Sequence, residues 1–413
     1  MRRPLYGWLA GETISLVGTR VSMIALPWFV LTTTGSPGRT ALVALAETLP
    51  MVLLKVLGGP VIDRIGPRRV AITCDVASVL AVGAVPALHE AGALPFGVLL
   101  ALVAVAGALR GPGDAAKHAL VPIMARDADV PMERATGLIS TVERTSSMLG
   151  AAGAGLLVSL VGPANALVVD ALSFGVCAAV VWWATVGLGG PAVDPEDAAA
   201  AGTPYRRQLR QGWDFLRGDR ILLGIAVMVA LTNLLDAAYA SVLMPVWAKQ
   251  GHAGATALGL VFAFWSGASA LGSISAAAWA TRIPRYSVYL VAFLVAGAPR
   301  FAVFAFDSPL WLIGTVVVAG GFASGFINPV IGAVVFERIP AGLVGRVSSL
   351  TTAMCFALLP FGGLLGGGLI SGFGLAVAML VTGAAYFVVT MFPAVDPRWR
   401  EIDRRPAEVA AAA

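Results

Sequence analysis

The sequence is short of charge. Asp, Glu, Lys and Arg make up 12% of its 413 residues, against about 25% in soluble domains, which excludes an ordinary water-exposed globular surface. Cysteine is nearly absent: Cys74, Cys177 and Cys355 fall singly inside apolar stretches, which argues against a disulfide framework or a cysteine metal site and leaves them as small core residues. Three scattered histidines, His89, His118 and His252, come without a Ser/His/Asp set, metal-ligand spacing or phosphate loop, so the chain reads as neither an enzyme nor a cofactor or metal protein. Lysine occurs only at Lys55, Lys117 and Lys249, and the other basic residues are arginine; with the heavy use of Ala, Gly and Val this suggests a GC-rich bacterial genome. The net charge of +5 is spread over many short loops rather than gathered on one patch, which speaks against a nucleic-acid partner.

What fills the chain instead is apolar sequence. Hydrophobic residues make up 58% of it and mean hydropathy is +0.84. About 20 apolar residues carry a helix across the hydrocarbon core, and such stretches run near residues 7–31, 40–62, 70–89, 94–116, 136–161 and 165–188, then 220–248, 256–280, 286–306, 309–335, 347–371 and 374–393. The first exceeds the roughly 7–15 apolar residues of a cleavable signal and has no small-residue cleavage site, so it is expected to stay in the mature protein. The expectation is an all-α integral membrane protein with twelve transmembrane helices: a six-helix bundle over 1–188, a cytoplasmic linker over 189–219, a second bundle over 220–393 and a tail over 394–413.

Arginine sets the orientation. With both termini in the cytoplasm, inner segments hold Arg2, Arg3, Arg64, Arg68, Arg69, Lys117, Arg126, Arg134, Arg282, Arg285, Arg338, Arg346 and the linker and tail arginines, whereas outer loops keep little beyond Arg39 and Lys249. That asymmetry is the positive-inside pattern of a plasma-membrane protein. The linker opens on an acidic, flexible stretch over 189–202 and closes on an amphipathic helix in which Leu209, Trp213 and Leu216 share a face beside Arg206, Arg207, Arg210 and Arg217. Such a helix either lies on an anionic leaflet or is simply solvated.

The chain also repeats itself. Arg134–Leu138 aligns with Arg346–Leu350 at an offset of 212 residues (346 − 134), which superposes Gly150, Gly153 and Gly155 on the run Gly362, Gly363, Gly366, Gly367 and Gly368. Pro112 and Pro122 answer Pro329 and Pro340 at nearly that offset, and residues 63–68 have a worn counterpart at 281–285. Parallel duplicated halves are a transporter architecture, with the substrate site near the midplane between them.

After the second apolar stretch comes Gly59-Pro-Val-Ile-Asp63-Arg64-Ile-Gly66-Pro67-Arg68-Arg69. This loop resembles the signature loop of the major facilitator superfamily. Ser15 to Gly18, Ala25 to Trp28, Gly212 to Leu216 and Gly345-Arg346 are similar to its drug-exporter branch, which includes macrolide and other antibiotic efflux proteins. The resemblance implies two pseudo-symmetric six-helix bundles, a small-molecule substrate, protons as coupling ion, and a conformational latch at the loop. Gly59 would permit close helix packing, Asp63 would face a helix N-terminus, and Arg64, Arg68 and Arg69 would anchor the inner interface. Exporters of this kind commonly have an acid just before the position of Arg20, where this chain has Thr19, and a proline in the glycine motif that is missing here from Gly150-Ala-Ala-Gly153, so that cluster supports packing better than antiport.

Ionisable residues within spans cost about 2.5–3.5 kcal/mol each on insertion scales and therefore mark candidate sites. Arg20 and Glu47 stand at comparable depth and can neutralise each other, with Glu47 exchanging a proton as a cavity opens. Asp236, with Asn233 a turn before and Tyr239 a turn after, forms a candidate substrate or proton cluster on the seventh span. Glu12 and the Glu143-Arg144 pair can line an inward cavity or gate, although ion pairing suffices to explain them. Asp75, Arg110, Asp114 and Asp170 are read as lying nearer inner ends and pairing between helices, and Lys55 and Arg300 receive no transport role. Trp28, Phe29, Trp247, Phe262, Phe264 and Trp265 can offer aromatic contacts, with packing the commoner role. The reading is a monomeric exporter of small amphipathic or antibiotic-like molecules. Its rivals are a uniporter, an importer or a lipid or siderophore carrier of the same fold, and, outside transport, a membrane sensor or scaffold.

Overall fold

The computed structural model describes residues 3–130, 132–187, 205–250, 254–279, 284–306, 308–339 and 344–403. The acidic linker stretch over 189–202, Arg282, Pro340 and the end of the tail lie outside the described residues, as do the side chains of Asp63, Arg134, Arg206, Arg207, Leu209 and Arg346. Among the described residues every regular element is helical. The order is α1 (Arg3–Thr34), α2 (Pro37–Leu57), a short α3 (Gly59–Ile65), α4 (Pro67–Glu90), α5 (Phe96–Asp127), α6 (Met132–Val161), α7 (Pro163–Ala184), α8 (Tyr205–Gly218) and α9 (Arg220–Ala238). A π-helical turn at Tyr239–Leu243 leads into α10 (Met244–Gln250), followed by α11 (Gly254–Trp279), α12 (Arg285–Ala296), α13 (Ala298–Ala305), α14 (Leu310–Arg338), α15 (Val344–Ala357) and α16 (Gly362–Val395).

Eleven segments among the described residues are long and apolar enough to cross a membrane. The last, Leu350–Val395, holds 46 residues, about 69 Å of helix at 1.5 Å per residue, more than twice what a bilayer core of about 30 Å needs. It is in fact two spans, because Gly374 inside α16 has φ 79° and ψ 172°, a conformation open to glycine and closed to residues with a Cβ. Among the described residues the total is twelve. Helix starts carry their own signals: Pro37, Pro67 and Pro163 open α2, α4 and α7, where a missing N–H costs nothing, and Ser36 caps α2 by accepting from the Arg39 N–H at 3.3 Å.

Cα packing divides the chain into two compact units. The first comprises residues 1–191, 237–266 and 360–375, and the second 192–236, 267–359 and 376–413. In the first, α1 packs on α6 and α7, α2 on α5, and α4 on α5 and α7. Its core at the Arg3 end is built from Leu5, Trp8, Met124, Ile139 and Val181. In the second, α12 and α13 pack on α14, and α8 packs on α15. Leu216 of α8 is fully buried in a cluster with Leu222, Ile339 and Val347, whereas Trp213 stays 41% exposed. The linker helix is therefore docked by one end of its apolar face.

With little hydrophobic drive between helices in lipid, close backbone approach does the work of association. On α5, a Cβ added at Gly107 would strike the Glu47 carbonyl, and one at Gly111 the Met51 carbonyl, both on α2. The second unit repeats the device between α11 and α14, where Gly272 faces the Phe322 carbonyl and Gly325 the Ser269 carbonyl.

Candidate functional site

The α2–α5 glycine contact sets the first pair. It brings Arg110 of α5 within 3.4 Å of Glu47 on α2, with side chains 19% and 24% exposed, while Asp114, one turn along α5, stands 4.0 Å from the same guanidinium. Glu47 therefore pairs with Arg110 and not with Arg20. Equal depth did not bring Arg20 and Glu47 together because their side chains leave their helices toward different neighbours. Arg20 runs along α6: a Cβ on Gly150 would come within 2.8 Å of the Arg20 Cβ, and its Nη1 reaches Met23 Sδ at 3.1 Å.

A cavity of about 40 Å³ lies against this pair, lined by Glu47 and Arg110 together with Ser22, Ser78, Asp170 and Phe174. Asp170 of α7 is 2% exposed. It accepts a hydrogen bond from the Ser22 hydroxyl of α1 and a longer one, 3.4 Å, from Ser173. Asp170 is not near the end of its span expected from the sequence. It is the eighth residue of α7, on the Gly162 side, whereas Asp75 is the ninth of α4, on the Gly66 side, and those two sides are opposite.

On the Gly66 side a second group is buried. The Lys117 Nζ of α5 lies 3.1 Å from Asp75 on α4 and 3.4 Å from Glu12 on α1, with side-chain exposures of 1%, 5% and 7%. It also donates to the Ser15 hydroxyl at 3.4 Å. One ammonium thus serves two carboxylates. Glu143 of α6 faces His118 at 3.6 Å, with both side chains about half exposed.

In the second unit, Asp236 near the end of α9 pairs with Arg300 of α13, a buried guanidinium flanked at 4.9 Å by the rings of Phe301 and Tyr386. Arg300 is positioned by the helix break at Gly297, where an added Cβ would come within 2.9 Å of Tyr386. The Asp236 side chain is 41% exposed. Asn233 is turned to α15, donating to the Cys355 carbonyl at 2.9 Å. Tyr239 is buried and opens the π-helical turn, a distortion often found at functional sites. Of the aromatic residues singled out from sequence, Phe29 and Trp247 are buried, Phe29 edge-on to His89, and Phe264 is 56% exposed.

In the loop, Arg68 donates from Nε to the Thr185 hydroxyl at 2.8 Å and from Nη2 to the Trp182 carbonyl at 3.1 Å, tying α4 to the end of α7. Gly66 has φ 92°. Arg64 and Arg69 are exposed. Gly59 does not provide the close packing expected of it: an added Cβ there meets nothing within 4 Å, whereas one on the neighbouring Gly58 would come within 3.6 Å of Pro112.

The model of the Major Facilitator Superfamily matches residues 9–252 and 226–411. The chain belongs to the Major Facilitator Superfamily. It is 28% identical over 413 residues to the multidrug efflux pump Tap of Mycobacterium tuberculosis, covering 98% of this chain and 96% of that one. It is 28% identical over 417 residues to Tap of Mycolicibacterium fortuitum, covering 97% and 98%. Among solved structures, the nucleoside transporter NupG overlays with a TM-score of 0.71 at 13% identity, covering 94% of this chain and 98% of that one. A bacterial homologue of the iron transporter ferroportin, in an inward-facing state, overlays at 0.66 and 16%, with the same coverages. These structures share the fold.

In this major facilitator chain, the candidate acids of the spans have basic partners to which the sequence assigns no transport role. Arg110 holds Glu47, Arg300 holds Asp236, and Lys117 holds Glu12 and Asp75. The available signal was their rarity: a lysine among apolar residues in a chain with three lysines has to be paired.

Proposed function

We propose that the chain exports small amphipathic or antibiotic-like molecules by alternating access of two six-span halves, 1–188 and 220–393, driven by inward proton flow, as a monomer with both termini in the cytoplasm. The full-length likeness to multidrug efflux pumps supports export of such molecules, and the arginine distribution supports the orientation. The observation that carries proton coupling is the Glu47–Arg110 pair, a partly accessible carboxylate and guanidinium within the spans, 3.4 Å apart. A carboxylate so placed can exchange its arginine for a proton when water access changes, and the freed arginine then changes the charge seen by neighbouring helices. Asp236 with Arg300 repeats that chemistry in the other unit.

The test is transport in proteoliposomes with an imposed pH gradient, comparing wild type with Glu47→Gln and Asp236→Asn. Gradient-driven accumulation by the wild type, lost in at least one variant, is the expected result. Flux independent of the gradient in all three would sink proton coupling, and a growth-inhibition panel in a pump-deficient host identifies the substrates.

A further inference from the structure

We infer that Asp170, on the sixth span, is a proton-carrying residue of the transport cycle and works with Glu47 around Arg110, the cation that lines their shared cavity. The inference rests on the proton-coupled reading above.

Glu12, Glu47, Asp75 and Asp236 each have a lysine or arginine within ion-pair distance. Asp170 is buried more deeply than any of these, and among the described residues no lysine or arginine pairs with it. Its hydrogen-bond donors are two serine hydroxyls, and the Ser173 hydroxyl is also engaged with the Asp170 carbonyl at 2.7 Å. An ionised carboxylate offers about four lone-pair sites and demands compensation when buried, whereas a neutral carboxyl needs far less. The site is built to hold this group: a Cβ on Gly18 of α1 would come within 2.6 Å of Ser173 Cβ and 2.9 Å of Asp170 Oδ1, so α1 comes this close only because residue 18 is glycine.

The charged groups around the cavity are few. From α2 comes Glu47 and from α5 Arg110, with Asp114 beyond it at 4.0 Å; α4 contributes the Ser78 hydroxyl and α1 the Ser22 hydroxyl. Arg20 of α1 is directed to Met23. Asp170 and Glu47 line the same cavity of about 40 Å³, which, at about 10–15 Å³ of such space per water, has room for a few molecules that can carry a proton between them. A proton leaving Asp170 makes it a carboxylate. Its arrival on Glu47 neutralises that acid and releases Arg110. The freed Arg110 then serves as counter-cation to the ionised Asp170 across their shared cavity, as it did to Glu47, while Asp114 beyond it keeps its place in both arrangements.

Infrared difference spectroscopy of the full chain in lipid, across a pH step, reads the carboxylic C=O band of a buried neutral acid. The band is expected in wild type and in Glu47→Gln, and to be lost in Asp170→Asn. Ser22→Ala, which removes one hydrogen bond and leaves the acid, should shift it. Asp170→Asn should also lose gradient-driven accumulation in proteoliposomes while keeping downhill flux, with Asp170→Glu restoring it. A full-strength band in Asp170→Asn, or an unmoved one in Ser22→Ala, overturns the assignment. Accumulation by Asp170→Asn at the wild-type level overturns it while leaving proton coupling intact. A wild type that ignores the gradient removes coupling itself, and the role of Asp170 with it.

Discussion

Arg110 of α5 stands 3.4 Å from Glu47 of α2, across a helix contact that has no room for a side chain at Gly107 or Gly111. The pair is thus fixed by backbone proximity, and its members should depend on each other. Removing one partner of a fully buried pair costs about 3–5 kcal/mol. With side chains 19% and 24% exposed, a smaller loss of about 1–3 kcal/mol is expected for Glu47→Gln or Arg110→Gln, since solvent screens part of it. The double variant should lose less than the sum of the singles. Thermal unfolding of the four proteins in detergent closes the cycle, and strict additivity would mean that the pair contributes no coupling.

The same contact yields a prediction about size alone. Gly111→Leu has to drive α2 and α5 apart, an overpacking cost of about 1–3 kcal/mol or more. Gly97→Leu, at the start of α5 where an added Cβ meets nothing within 4 Å, should leave stability unchanged. The comparison is read as the melting temperature and the monodisperse fraction of purified protein. Equal behaviour would place the α2–α5 contact elsewhere than along these glycines.

Lys117 answers two acids, so its loss should be felt more than the loss of either. Lys117→Met leaves Glu12 and Asp75 buried against each other, with an expected cost of about 3–5 kcal/mol. Adding Glu12→Gln and Asp75→Asn to Lys117→Met should recover much of that stability, because a neutral, hydrogen-bonded group of the same shape needs no counter-ion. A triple variant as unstable as Lys117→Met alone would show that packing, rather than charge, is the source of the loss.

Much of this was legible in the sequence, and the part that was not has a common cause. Span count needs only the lengths of apolar runs, and even the break near Gly374, hidden inside the continuous helix α16, separates the stretches 347–371 and 374–393. Depth is also readable, and it singles out Glu47 and Asp236. The direction in which a side chain leaves its helix is not, because a transmembrane helix that is apolar all round has no amphipathic stripe to orient it; α1 shows almost no such stripe. Arg20 was therefore matched to an acid at its own depth, while the structure turns it over Gly150 on α6 and gives Glu47 to Arg110. Gly59 failed for the reverse reason: its motif marked it, but the open space around it shows that packing is decided at Gly107 and Gly111.

The glycines of α6 carry the last prediction. A Cβ on Gly155 would come within 2.6 Å of the Ala255 carbonyl and 2.9 Å of Gly259 Cα on α11, and one on Gly259 within 2.7 Å of the Ala151 carbonyl. Gly153, two residues earlier, has nothing within 4 Å. The contact lies within the first unit, toward the end of α6 that leads to Gly162, and at that same end a Cβ on Gly363 would come within 3.0 Å of Ala44 and Lys249 donates to the Leu31 carbonyl at 2.7 Å. If these contacts together keep that side of the protein shut, a leucine at Gly155 or Gly259 must open it, and one at Gly153 must not. A cysteine at Ala44, in a background without Cys74, Cys177 and Cys355, reports the difference through its labelling rate with a membrane-impermeant maleimide. Faster labelling in Gly155→Leu and Gly259→Leu than in Gly153→Leu is expected. Equal rates in all three would mean that the glycine contact only joins two helices, and that closure of this end depends on Gly363, Lys249 and their partners.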